Sequence, residues 1–135
     1  MTLSARARSL ALGLVVAIAL QLSLTPIGQL ETRSLAQTTP IGQSTVVVFL
    51  VGLALQIAAI WALFRRPRTA PMLALIGLPL YFPIFLADIT GLWSSKPAPP
   101  VITYLSILTA IVVIGSLFLA TRLYRENAAK APNVA

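Results

Sequence analysis

Three stretches of this chain, Ser44 to Phe64, Ala70 to Ala87 and Val101 to Thr121, contain no charged residue. Each is close to or above the ~20 residues that an α-helix needs to cross a bilayer at 1.5 Å rise per residue. A fourth uncharged stretch, Ser9 to Thr25, lies at the short end of that range. Across the 135 residues, 58% are hydrophobic. A water-soluble domain of this size cannot hide so much apolar surface, because its surface-to-volume ratio is too high. The sequence therefore predicts an all-α, polytopic membrane protein. We expect one domain over residues 1–135, built as a compact bundle of four transmembrane helices at about 9–25, 44–64, 70–93 and 101–122. A mobile tail over 126–135 is expected to follow.

The net charge of +7 is explained by orientation rather than by nucleic acid. Arg6 and Arg8 precede the first stretch, Arg65, Arg66 and Arg68 separate the second from the third, and Arg122, Arg125 and Lys130 follow the fourth. Arg33 and Lys96 alone occupy the other two loops. Four passes put eight of the ten basic residues on one side, as the positive-inside rule requires. Both chain ends and the middle loop are thus expected in the cytoplasm (N-in, C-in), with 26–43 and 94–100 outside. A plasma or inner membrane fits this pattern.

The opening "MTLSARARSLALGLVVAIALQLSLT" also has the form of a signal peptide, and "SLAQ" at Ser34 to Gln37 offers small residues for cleavage. Its apolar core ends near Leu24, long before Ala36, and exceeds a usual signal core. An uncleaved first helix is the reading we carry forward. The pentapeptide "TPIGQ" occurs at 25–29 and again at 39–43. Pro and Gly break helices, so the first copy is expected to end helix 1 and the second to precede helix 2. A symmetric outer binding loop is the functional alternative. "RRPR" at Arg65 to Arg68 makes the cytoplasmic turn and lies within reach of anionic headgroups. "SSKPAPP" makes a stiff outer turn from which Pro100 starts the last helix. That helix is expected to fray soon after Arg125.

Helices in lipid associate through small residues and buried polar groups, because acyl chains are as apolar as Leu. Each stretch offers one such stripe at helical spacing: Gly13, Ala17 and Gln21; Thr45, Gly52, Gln56 and Ala59; Ala74, Gly77, Tyr81 and Asp88; Ser106, Thr109, Ser116 and Ala120. Asp88 is the acid inside an oily run, and its stripe points it into the bundle. Counted from Trp93 it lies about five residues, or ~7 Å, inside the outer boundary. Gln21, Ser106 and Tyr104 are expected near that depth, which gives a candidate polar pocket of Asp88, Gln21, Tyr81, Ser106 and Tyr104. The carboxyl would be protonated and hydrogen-bonded there, or would reach water and Lys96 or Arg33. Pro79 and Pro83, one turn apart, each remove an intrahelical hydrogen bond and predict a kink between Gly77 and Pro83. The kink is either a static bend or a hinge that gates the pocket.

No Cys and no His are present, which removes thiol and imidazole chemistry, and the acids number only three: Glu31, Asp88 and Glu126. No catalytic residues, cofactor site or metal site are expected, and the chain is not expected to be an enzyme. The expected role is that of a non-catalytic membrane component: an accessory, assembly or scaffold protein. Its expected partners are membrane lipids, other membrane proteins or further copies of itself, and not nucleic acid. The alternative is a small oligomeric transporter or channel using Asp88 with Gln21, Gln56 and Tyr81. In size and number of passes the chain is similar to small multidrug exporters, but those carry their key acid in the first helix. The first stretch here has none, and no family is assigned on that likeness.

Overall fold

The computed structural model describes residues 4–24, 39–92 and 100–130. Every regular element among them is helical: α1 (Ala5–Leu24), α2 (Pro40–Arg65), α3 (Ala70–Gly77), a 3₁₀ turn (Leu78–Tyr81), α4 (Phe82–Ile89) and α5 (Pro100–Lys130). Because α3, the 3₁₀ turn and α4 form one rod, the described residues make four helical rods long and apolar enough to cross a membrane. It is a multi-pass, all-α membrane protein.

The ends of the rods follow from local chemistry. Thr39 caps α2: its hydroxyl accepts the Gly42 N–H at 3.0 Å, and Pro40 takes the first helical position. The second "TPIGQ" therefore does not precede helix 2 but forms its cap and first turn. Proline has no N–H to lose there, and its fixed φ already suits the helix. The first copy lies outside the described residues. The third rod stops at Ile89, short of the expected 93. Gly91 adopts φ 79°, its N–H bonds to the Asp88 carbonyl at 3.2 Å, and the Leu92 N–H bonds to the Ala87 carbonyl at 2.8 Å. This paired closure needs a left-handed residue, which glycine adopts without a Cβ penalty. Gly91→Ala is expected to lower stability by about 1 kcal/mol, read as a fall in the midpoint of thermal unfolding in detergent. At the other extreme α5 does not fray after Arg125 but continues to Lys130.

The rods form a circuit in which each packs on the next and the fourth returns to the first. The closest pairs are the first with the fourth and the second with the third. The start of α1, the end of α5 and the 66–69 turn lie at one end of the bundle. There Arg6 pairs with Glu126 at 2.9 Å and the Asn127 side chain donates to the Pro67 carbonyl at 3.2 Å. This half-exposed ion pair contributes at most about 1 kcal/mol, so it marks the register of the two rods more than it stabilises them.

The small and polar stripes face inward. Ala17, Gln21, Thr45, Gly52, Gln56, Ala59, Ala74, Gly77, Tyr81, Ser106, Thr109, Ser116 and Ala120 are all buried. Large apolar side chains such as Leu12, Val47, Trp61 and Phe118 are more than half exposed. In water such a surface would drive aggregation; in a bilayer it is the surface that lipid covers.

Candidate functional site

Gly52 of α2 meets Gly77 at the end of α3 in close backbone contact. A Cβ on Gly52 would lie 2.7 Å from the Leu80 Cβ and 2.8 Å from the Gly77 carbonyl oxygen. A Cβ on Gly77 would lie 2.8 Å from the Leu55 Cβ and 2.9 Å from the Gly52 carbonyl oxygen. The absence of a side chain on both rods lets the two backbones touch. The 3₁₀ turn begins at the next residue. Pro79 and Pro83 each sit in the first turn of a new segment, Pro79 in the 3₁₀ turn and Pro83 in α4. The Pro79 carbonyl, which Pro83 cannot serve, accepts the Phe82 N–H instead. The rod changes from α to 3₁₀ where two backbone donors are missing, and the 3₁₀ bonds satisfy part of what is lost.

One turn along α2 from Gly52, Gln56 is fully buried and faces Gln21 of α1, also fully buried. The two amides bond reciprocally: Gln21 Nε2 donates to Gln56 Oε1 at 2.8 Å, and Gln56 Nε2 donates to Gln21 Oε1 at 3.2 Å. Their second N–H groups reach the Ala17 carbonyl at 3.0 Å and the Gly77 carbonyl at a long 3.4 Å. Three rods are thereby tied at one point, and both side chains use all of their donors. In a medium that offers no competing water this completeness matters, because a buried amide left unpaired costs more than the bond it makes.

The fourth rod is tied separately. The Tyr81 hydroxyl donates to the Ser106 backbone carbonyl at 2.9 Å. The Tyr81 ring packs against Phe82 and Phe85, with centroids 5.9 and 5.7 Å away. Because the Ser106 carbonyl lies within α5, it has a helical donor as well as Tyr81. Tyr81→Phe is thus expected to cost only about 0.5–1.5 kcal/mol, whereas Tyr81→Ala, which also empties an aromatic site, is expected to cost about 3 kcal/mol or more. Unfolding of both variants in detergent provides the comparison.

The five residues expected to share a pocket are distributed differently. Tyr81 and Ser106 meet. Gln21 is held at the level of Gln56 and Gly77, eleven residues before Asp88 along the third rod, or roughly 16 Å away along its axis. Tyr104 is 73% exposed and faces outward. Residues 104 and 106 differ by about 200° around a helix of 3.6 residues per turn, so they cannot share a face. Asp88 sits in the last turn of α4, half-buried, beside an inward line of Tyr81, Ile84 and Ala87. Gln56, which carries half of the amide pair, was missing from that set. The signal for it was present: a second intramembrane amide on a small-residue stripe.

Chemically, this interior holds helices together. Among the described residues no group of three or more His, Cys, Asp or Glu could bind a metal ion.

No family model, curated protein or solved structure matches this chain. Its functional reading therefore rests on its own geometry.

Proposed function

We propose that the protein is a non-catalytic component of a plasma or inner membrane, acting by contact with lipid or with other membrane proteins as an accessory, assembly or scaffold element. Its basic end faces the cytoplasm in this reading. The observation that supports it is the closure of the interior amides on one another. Gln21, Gln56 and the Gly77 carbonyl bond mutually between rods, where a transport path would need polar groups turned toward a water-filled opening. Among the described residues the outward faces are broad and apolar.

Reconstitution into vesicles tests this against the transporter reading. Neither the native protein nor Asp88→Asn is expected to carry protons, alkali cations or small organic cations above the level of empty vesicles. Purification in a mild detergent is expected to bring down lipid or a membrane-protein partner. Flux in the native protein that disappears in Asp88→Asn at equal expression would replace this reading by transport.

A further inference from the structure

A groove of about 490 Å³ opens to the outside between the first and fourth rods. Leu12, Gly13 and Val16 form one wall, and Val112, Gly115 and Leu119 the other. Its origin is the pair of glycines. A Cβ on Gly13 would come within 2.7 Å of the Ser116 Oγ, so the rods touch there, whereas a Cβ on Gly115 would meet no atom within 4 Å. The floor beside that touching point is bare backbone. Ser116, which also lines the groove, is 2% exposed, and its hydroxyl has no hydrogen-bond partner among the described residues. The hydroxyls of Ser9, Ser23, Ser44, Thr109 and Thr121 all donate to a carbonyl of the preceding turn. Ser116 is turned instead toward Gly13, and its hydroxyl is covered in the seam between the rods.

The charge at the mouth of the groove identifies its occupant. Arg8 lies four residues before Leu12, and Arg122 three residues after Leu119. These spacings place both on the groove's side, one turn beyond its walls, at the basic end of the bundle. Both are exposed. Arg122 lies over the Phe118 ring at 5.4 Å, which steadies its guanidinium. The nearby acid Glu126 is paired with Arg6. An apolar slot leading to two arginines matches a molecule with an apolar chain and an anionic head. A second copy of the chain matches it poorly. With both copies crossing the membrane in the same sense, a two-fold contact through this groove would bring Arg8 and Arg122 of each copy to the same level, where like charges repel.

We propose that this groove seats an acyl chain of one anionic phospholipid, whose phosphate is held by Arg8 and Arg122. The proposal deepens, and rests on, the reading of the protein as a non-catalytic component working by contact with lipid.

The test is native mass spectrometry of the full chain released from bilayers of equal phosphatidylglycerol and phosphatidylcholine. The native protein is expected to keep one phospholipid per chain and to prefer phosphatidylglycerol roughly thirtyfold, from two basic contacts near the surface. Gly115→Leu fills the groove where no atom stands in the way. It should abolish retention while leaving helix content and elution volume unchanged. Arg8→Gln combined with Arg122→Gln should remove the preference for the anionic lipid and leave the chain-seating intact. Equal retention by the native protein and Gly115→Leu would overturn the proposal, as would the absence of any headgroup preference. A disulfide-linked dimer of Gly115→Cys, unambiguous in a chain without native cysteine, would assign the groove to a second copy instead. Any of these failures leaves the vesicle flux result, and the broader reading, standing on its own.

Discussion

Gly52→Ala is expected to loosen the bundle by about 2–3 kcal/mol, the upper part of the range for overpacked interiors. The added methyl would meet the Leu80 Cβ at 2.7 Å and the Gly77 carbonyl oxygen at 2.8 Å. Neither is the tip of a flexible side chain, so no rotamer change can relieve the clash. The second and third rods must separate instead. Dispersion falls steeply with distance, so a shift of even half an ångström along the shared seam forfeits a sizeable part of its attraction. Gly77→Ala is expected to behave alike, because its methyl meets the Gly52 carbonyl oxygen at 2.9 Å and the Gln56 N at 3.1 Å. Combining the two should cost less than the sum of the single effects, since once the rods have parted the second methyl meets less resistance. Gly115→Ala is the matched control. Its methyl enters open space, and the gain in helix propensity should make it neutral or slightly stabilising. Thermal or denaturant unfolding in detergent, followed by circular dichroism, measures all four.

The second large effect is expected at the amide pair. Gln21→Leu removes one partner and leaves the Gln56 Oε1 and one of its N–H groups unpaired in a dry interior, at a cost of about 1–3 kcal/mol. Gln56→Leu should cost about as much, since each change also removes a second bond, to the Gly77 carbonyl or to the Ala17 carbonyl. The double variant Gln21→Leu with Gln56→Leu is the informative one. With no orphaned amide left, it should cost less than the sum of the two single changes. The cycle is expected to give a coupling of about 1–2 kcal/mol, near the top of what interhelical bonds in membrane proteins provide. Additive losses would mean that the two amides act independently, contrary to the reciprocal geometry.

Much of the architecture was legible in advance because its causes are one-dimensional. Uncharged stretches of helical span length, such as Ser44 to Phe64, announce a membrane crossing whatever their neighbours do. The inward stripe of Thr45, Gly52, Gln56 and Ala59 was readable because helical periodicity puts these residues on one side. The candidate pocket was less legible. It assumed that depth could be counted from interface residues and that all rods start level. The first rod starts at Ala5, and its Gln21 is drawn to the level of Gln56. Vertical stagger of this kind is set by which side chains meet across the bundle, and no single helix carries that information. Tyr104 is a different case, since the angular argument against its sharing a face with Ser106 was available from spacing alone.

The helix end at Ile89 shows the same division. Gly91 announces a stop, but proline-rich and aromatic residues on either side leave its position open until the hydrogen bonds of Leu92 and Gly91 are seen. Asp88 thereby moves from the inside of a helix to its last turn.

The sequence by itself determined the solvent this protein lives in, the number of crossings and the inward face of each rod, because apolar length, charge placement and helical period are properties of consecutive residues. Only the tertiary structure decided which polar groups pair, how far each rod slides against its neighbour, and where bare glycine backbone leaves contact or a groove. Those depend on distances between residues far apart in the chain, which close packing alone fixes.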